Sequence, residues 1–127
     1  MVSGLHHIAI ICSDYARSKA FYTGVLGMEI IREVYRSERC SYKSDLALNG
    51  EYLIELFSFP DPPERVSRPE AAGLRHLAFT VNDFDNEMKR LAAVGVAVEP
   101  VRIDEFTGKR FTFFPDPDGL PIELYER

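Results

Sequence analysis

The chain has 127 residues, 46% apolar and 28% charged, a composition that fits one globular domain long enough to bury a core. A formal net charge of −5, from 15 basic and 20 acidic residues, argues against a nucleic-acid or anionic-membrane surface. There is no apolar run of bilayer length and no basic-then-apolar leader, and Cys12 and Cys40 are too few for a disulfide framework, so the cytoplasm is the expected location.

Leu5 to Cys12 reads as a buried strand, and Ser13 or Asp14 is placed to cap the helix that follows. Phe21, Tyr22 and Val25 share one face of that helix, which Gly27 stops. Met28 to Tyr35 is a second strand, and Arg36 to Arg39 a polar connection. Ser41 to Leu48 and Tyr52 to Ser58 flank Asn49-Gly50, a pair that tolerates the positive φ of a hairpin turn. Phe59 to Gly73 is a proline-rich, charged linker, a crossover rather than a central strand because proline lacks a ladder donor.

The pattern then restarts. Leu74 to Val81 is a strand, Asn82-Asp83 a cap, and Phe84, Met88, Leu91 and Ala92 the apolar face of a helix ended by Gly95. Val96 to Ile103 reads as a strand with an edge or break at Pro100. Arg110 to Phe114 and Leu120 to Tyr125 form a last hairpin around Asp118-Gly119. His7 to His76 and Asp14 to Asp83 are each 69 positions apart, while Gly27 to Gly95 and Glu55 to Glu123 are 68, so one residue is lost within the second helix. The chain is therefore expected to be one domain of two βαβββ modules, 1–58 and 74–127, joined by the linker 59–73. This is an α+β fold whose mainly antiparallel sheets curve into a cup.

Each module carries a histidine at its first strand and a glutamate in its last. Strand side chains alternate, so His7, Ala9 and Ile11 share a face, as do His76, Ala78 and Thr80. Glu55 lies in line with Leu53 and Phe57, and Glu123 with Pro121 and Tyr125. Any one of these residues alone is more often solvated or hydrogen-bonded than a ligand, but the repeat sets the same two types at matching positions twice. Two imidazoles and two carboxylates suit one divalent transition metal such as nickel, zinc or cobalt. The alignment with His76 selects His7 over His6, which is expected to face the other way. Asp14, Asp83 and Asp118 read as caps and turn residues. Arg32, Arg36, Arg39, Lys43, Arg65, Arg68, Arg75, Lys109 and Arg110 are mostly expected at a solvated surface, with a few flanking the cup to hold an anionic substrate.

The motifs His7-Ile8-Ala9-Ile10 with Asp14 and Phe21-Tyr22, Ile54-Glu55-Leu56, His76-Leu77-Ala78-Phe79, and Asp116-Pro117-Asp118-Gly119 with Ile122-Glu123-Leu124 resemble the vicinal oxygen chelate superfamily, which includes glyoxalases, bleomycin-resistance proteins and dioxygenases. The chain is most similar there to bacterial glyoxalase I, or lactoylglutathione lyase, and its small relatives. The resemblance implies a divalent metal held by His7, Glu55, His76 and Glu123, a homodimer, and a small-molecule substrate chelated through two neighbouring oxygens. It further implies proton transfer between adjacent carbons by a glutamate, with Glu123 favoured as the base and Glu55 as its partner, through a metal-stabilised enediolate. Two departures bear on the thiol: Ile11 and Phe59 stand where enzymes of that type carry an arginine and an asparagine that contact glutathione. Epimerisation and extradiol oxygenation compete within the fold, although a fourth ligand at Glu55 counts against the second. From another class, a non-catalytic binder of an antibiotic-like small molecule remains as the alternative.

Overall fold

The computed structural model describes all residues, Met1–Arg127, and the chain divides into two compact units, Met1–Glu64 and Arg65–Arg127. In the first unit, β1 (Ile8–Cys12) leads to α1 (Tyr15–Ala20), then to β2 (Glu29–Arg36), β3 (Ser41–Leu48) and β4 (Glu51–Ser58). The second repeats the series with β5 (Leu77–Val81), α2 (Phe84–Ala93), β6 (Arg102–Ile103), β7 (Arg110–Pro115) and β8 (Pro121–Glu126). The two four-stranded sheets have equivalent orders, β1-β4-β3-β2 and β5-β8-β7-β6. In each, the first strand runs parallel to the last and the other pairs are antiparallel.

The helix starts follow the expected chemistry. Asp14 and Asp83 have extended or near-extended backbones, and their Oδ1 atoms accept from the amides of Arg17 and Asn86, each at 3.1 Å. α1 passes directly into a π-helical turn, Phe21–Val25. That wider turn breaks the regular period on which one shared face was expected, so Tyr22 is buried while Phe21 and Val25 are only half-buried. Asn49 (φ 52°) and Gly50 (φ 82°) both take the left-handed conformation that a two-residue hairpin needs.

Several elements differ from the sequence reading. β1 and β5 begin at Ile8 and Leu77, because parallel pairing starts with Ile8 opposite Ile54 and Leu77 opposite Ile122. His7 and His76 therefore sit just ahead of their strands. Of the expected strand Val96 to Ile103, only Arg102–Ile103 pairs in a sheet. Pro100 interrupts the ladder, and Glu99 is held instead by its amide donating to the Phe113 carbonyl at 2.9 Å and its carbonyl accepting from Thr112 Oγ1 at 2.7 Å. The last hairpin is a longer loop organised by Asp116, whose Oδ1 accepts from the amides of Asp118 and Leu120, each at 2.9 Å. Only Gly119 (φ 86°) is left-handed there.

Burial alternates identically along Leu53–Ser58 and Pro121–Glu126. Ile54, Leu56, Ile122 and Leu124 are buried in their units' cores, while Glu55 and Glu123 look out from the opposite, open face. Buried partners are Tyr22, Met28 and Leu46 in the first unit, and Phe84, Leu91 and Phe114 in the second. β2 is exposed along all but its last residue, and a register shift interrupts its pairing between Ile30 and Arg32. No helix is long and apolar enough to cross a membrane.

Arg110, one of the basic residues expected at the solvated surface or flanking the cup, instead serves a structural clasp. Its guanidinium bonds Glu126 at 2.8 Å and Asp85 at 2.7 Å and lies 4.9 Å over the Phe84 ring, tying β7, β8 and the start of α2 together. Hydrogen bonds from Arg110 lower the Glu126 carboxyl from 4.5 to about 2. Because the folded value is depressed, the pair's contribution is complete above pH 4.5 and is lost as pH falls toward about 2. Acid unfolding followed by circular dichroism should therefore be shallower across that window for Glu126→Gln than for the wild type.

Candidate functional site

The alternation that buries Ile54 and Leu56 leaves Glu55 on the open face of its unit, and the same holds for Glu123. Parallel pairing sets Ala9 opposite Glu55 and Ala78 opposite Glu123, so each histidine lies two residues before the residue facing its glutamate. His7 Nε2 is 3.6 Å from Glu55 Oε1, and His76 Nε2 is 3.0 Å from Glu123 Oε2. The carboxylates keep 16% and 14% of their side-chain surface exposed, so both pairs are accessible yet walled by protein.

These are the four residues singled out in the sequence, brought together as two pairs. No group of three or more His, Cys, Asp or Glu side chains is assembled in a form that could hold a metal. The separations within each pair nevertheless fit neighbouring ligands. Two atoms each about 2.1 Å from one ion, and about 90° to 120° apart around it, lie about 3.0 to 3.6 Å from each other.

The surroundings of the two glutamates differ sharply. Lys43 Nζ lies 3.2 Å from both Glu55 Oε2 and Asp45 Oδ1, and Asp45 is buried. The Tyr52 hydroxyl donates to Asp45 at 3.1 Å and lies 3.3 Å from Glu55 Oε2, while its ring stacks on His7 at 5.3 Å. Burial, the hydrogen bond to Asp45 and the charges of Asp45 and Glu55 all raise the Tyr52 phenol above its ordinary value, so it serves as a donor. Burial opposes the Lys43 charge, but its hydrogen bonds to Glu55 and Asp45 outweigh that and raise it.

In the second unit Phe113 stands opposite Glu123, where Asp45 stands opposite Glu55. Phe111 holds the place of Lys43, and the position 68 residues after Tyr52 is the buried Leu120. Phe113 meets His76 edge-on at 5.1 Å. One glutamate is thus held in a polar network and the other is walled by aromatic rings.

The sequence reading put Lys43 at the surface and overlooked Asp45 and Tyr52. Counting back from the Asn49-Gly50 turn would set Ser44 opposite Glu55. A bulge at Leu53 slides the ladder by one, and Asp45 arrives there instead. His6 also departs from expectation. It does not turn away from the site: its Nδ1 lies 2.8 Å from His7 Nδ1, and its ring meets Tyr52 edge-on at 5.4 Å. That contact steadies the far nitrogen of His7 and leaves Nε2 toward Glu55.

Ile11 is 55% exposed on the same face of β1 as Ala9. Phe59 stacks on Phe57 at 5.7 Å, and the Arg36 guanidinium lies 4.9 Å and 5.7 Å from the two ring centres. At both positions where a contact to glutathione would be expected, the residue itself is thus apolar, and beside Phe59 the polar group is the Arg36 guanidinium.

Two four-stranded sheets of repeated βαβββ connectivity, each carrying one His–Glu pair on its open face, define a glyoxalase-type fold. Comparison with known proteins agrees. Residues 4–124 match the Glyoxalase/Bleomycin resistance protein/Dioxygenase superfamily, and the chain belongs to it. The uncharacterized protein YwkD of Bacillus subtilis (strain 168) is 65% identical over 127 residues, covering 100% of this chain and 99% of its own length. The lactoylglutathione lyase of Salmonella typhimurium (strain LT2) is 34% identical, covering 96% of this chain and 91% of its own. The metallothiol transferase FosB of Staphylococcus haemolyticus (strain JCSC1435) is 30% identical, covering 98% and 84%. The crystal structure of SMU.1112c superposes with a TM-score of 0.91 at 48% identity, covering 99% of this chain and 100% of that one. Relatives of the family therefore carry out different reactions on one scaffold.

The polar network yields a stability test. Lys43→Met removes the ammonium from buried Asp45 and is expected to destabilise the fold by about 1–3 kcal/mol in urea titration. Adding Asp45→Asn should recover part of that loss, because the stranded charge goes with it.

Proposed function

We propose that the chain is a metal-dependent isomerase of the glyoxalase I type. It acts on a small molecule through two neighbouring oxygens, with one divalent ion (nickel, zinc or cobalt) held by His7, Glu55, His76 and Glu123. The observation that carries this reading is the recurrence of the His–Glu pair at the same register in both units, at 3.6 Å and 3.0 Å. Each pair offers two ligands, so a four-ligand centre needs one pair of each kind, from one chain or from two. A cytoplasmic homodimer is the assembly proposed, supported by the exposed apolar residues Ile30, Ile31, Val34 and Tyr35 on β2.

When bound, the ion supplies Lewis-acid polarisation of the two substrate oxygens. The histidines position it, and His6 steadies His7. Glu123 takes the proton from one carbon and returns it to the neighbouring carbon, so the substrate is isomerised with no change in composition. Glu123 is favoured because its one ion-pair partner is His76, the Arg102 guanidinium nearby being stacked over Phe111 and Phe113, whereas Glu55 is already engaged by Lys43 and Tyr52.

The Lys43–Glu55 ion pair also favours a second reading, in which Glu55 stays off the ion. His7, His76 and Glu123 would then leave more positions open, as epimerisation or thiol transfer would use.

Metal analysis separates the readings. The purified protein is expected to hold about one divalent ion per site, and His76→Ala to abolish tight binding. His6→Ala should weaken it by no more than about tenfold, as for a partner behind the ligand. Loss of metal in Glu55→Gln supports four ligands, and retention supports three; undiminished metal in His76→Ala would overturn both. Turnover assays with methylglyoxal and a panel of thiols test the reaction itself. With Ile11 and Phe59 where glutathione contacts are expected, the glutathione adduct should be a poor substrate, and rapid turnover of it would show that other residues bind the thiol.

The assembly is checked by light scattering, for which a dimer of twice 14.5 kDa is expected. Mixing His7→Ala chains with Glu123→Ala chains then asks where the ligands come from. Activity should return if a site is shared between chains, and stay absent if each site lies within one chain.

A further inference from the structure

Three of the arginines left unassigned by the sequence converge on one cavity of about 180 Å³ in the second unit. Arg65, Arg68 and Arg75 line it, together with Pro121 of β8 and two carboxylates, Glu70 and Glu99. Pro121 pairs with Pro115, and Phe113 with Glu123, on the next two positions of the same ladder face. The cavity thus begins two residues, about 6.8 Å, along the strand from Glu123. Arg75 directly precedes His76 in the chain. This basic cavity therefore begins one same-face strand position away from Glu123, although neither His76 nor Glu123 lines it.

The guanidinium charges are only lightly answered. Arg65 bonds neutral acceptors: the carbonyls of Leu74 at 2.7 Å and Arg75 at 2.9 Å, and Ser67 Oγ at 2.8 Å. Those bonds fix its plane in advance and leave its charge without a carboxylate. Ser67 Oγ in turn donates to the Gly119 carbonyl at 3.3 Å, fastening the arginine-bearing segment to the loop before β8. Glu70 is 3.8 Å from Arg75, beyond hydrogen-bond range, and both are largely exposed. Glu99 lies 3.4 Å from a different arginine, Arg102. An oxyanion that bonds the guanidinium forks directly would gain what neither glutamate takes.

We propose that the substrate is anionic, and that Arg65, Arg68 and Arg75 hold its carboxylate or phosphate group in this cavity while its reacting end lies at His76 and Glu123. The proposal rests on the metal-dependent reading above for the reacting end, and on the arginine cavity alone for the anion. It narrows the substrate class to small oxo or hydroxy compounds that bear an acidic group beyond the reacting oxygens.

The test titrates inorganic phosphate and, separately, acetate into the protein as purified and again after chelation of metal, following backbone amide signals by NMR. Saturable shifts are expected at Ser67, Arg75 and Gly119 in both preparations, and the tighter of the two anions identifies the acidic group. Arg68→Ala and Arg75→Ala, which spare the Arg65 bonds, should each weaken that binding by about tenfold, and Arg17→Ala on α1 should leave it unchanged. No saturable binding of either anion, or binding unaltered in both cavity variants, overturns the proposal. Anion binding that survives chelation in a protein failing the His76→Ala metal test would sink the metal-dependent reading alone. Intact metal binding with no anion binding would sink this one alone.

Discussion

Parallel pairing of each unit's first strand with its last is the constraint on which the rest of the structure depends. His7 and Glu55 are 48 positions apart in the chain, yet the pairing of β1 with β4 brings them within 3.6 Å. A parallel pair cannot be closed by a tight turn and needs a crossover. The helix supplies the first part of it, and the antiparallel strands between supply the rest. The register that sets Ala9 opposite Glu55 is locked by burial, since a slip of one residue would turn Ile54 and Leu56 to solvent and Glu55 into the core. The same side chains that stabilise each unit therefore also aim its polar pair.

This is why much of the fold was legible in the sequence. The Ile-Glu-Leu triplets state the alternation outright, the offsets of 69 and 68 reveal the duplication, and Asp14, Asp83 and Asn49-Gly50 mark caps and a turn by local chemistry. What was not legible depends on pairing at a distance. The first strands begin only where a partner's ladder begins, so apolar Leu5 and Leu74 remain outside them and exposed. The segment around Pro100 is apolar enough to suggest a strand, yet it is held by two hydrogen bonds to β7 rather than by a ladder. The bulge at Leu53 has no local signature, and it alone decides that Asp45 faces Glu55. Among the candidate site residues, the positions of the two His–Glu pairs could be read from the repeat. The network of Lys43, Asp45 and Tyr52, and the role of His6, could not.

The duplicated units have diverged around their His–Glu pairs. Around Glu55 stand a lysine, a second carboxylate and a phenol; beside Glu123 stand two phenylalanines with the Arg102 guanidinium over their rings. Asp45 is met by Lys43 at 3.2 Å and by Arg32 at 3.9 Å, so its buried charge is answered while Lys43 also holds Glu55. The aromatic side instead sets rings where the polar side sets hydrogen-bonding groups. Two copies of one scaffold thus offer a held acid and a less encumbered one, an asymmetry that a symmetric pair of units could not provide.

The interruption of β2 between Ile30 and Arg32 has a consequence for behaviour in concentrated solution. A long, flat border rich in Ile, Val and Tyr is a template for open-ended strand addition and, from there, for fibres. A bulge bends and twists such a border, so that a second copy cannot lie along its full length in register. Glu29, Arg32 and Glu33 add charges that a stacked copy would have to bury or oppose. Growth by endless repetition is thereby obstructed, while the apolar side chains stay available to a contact that closes on itself.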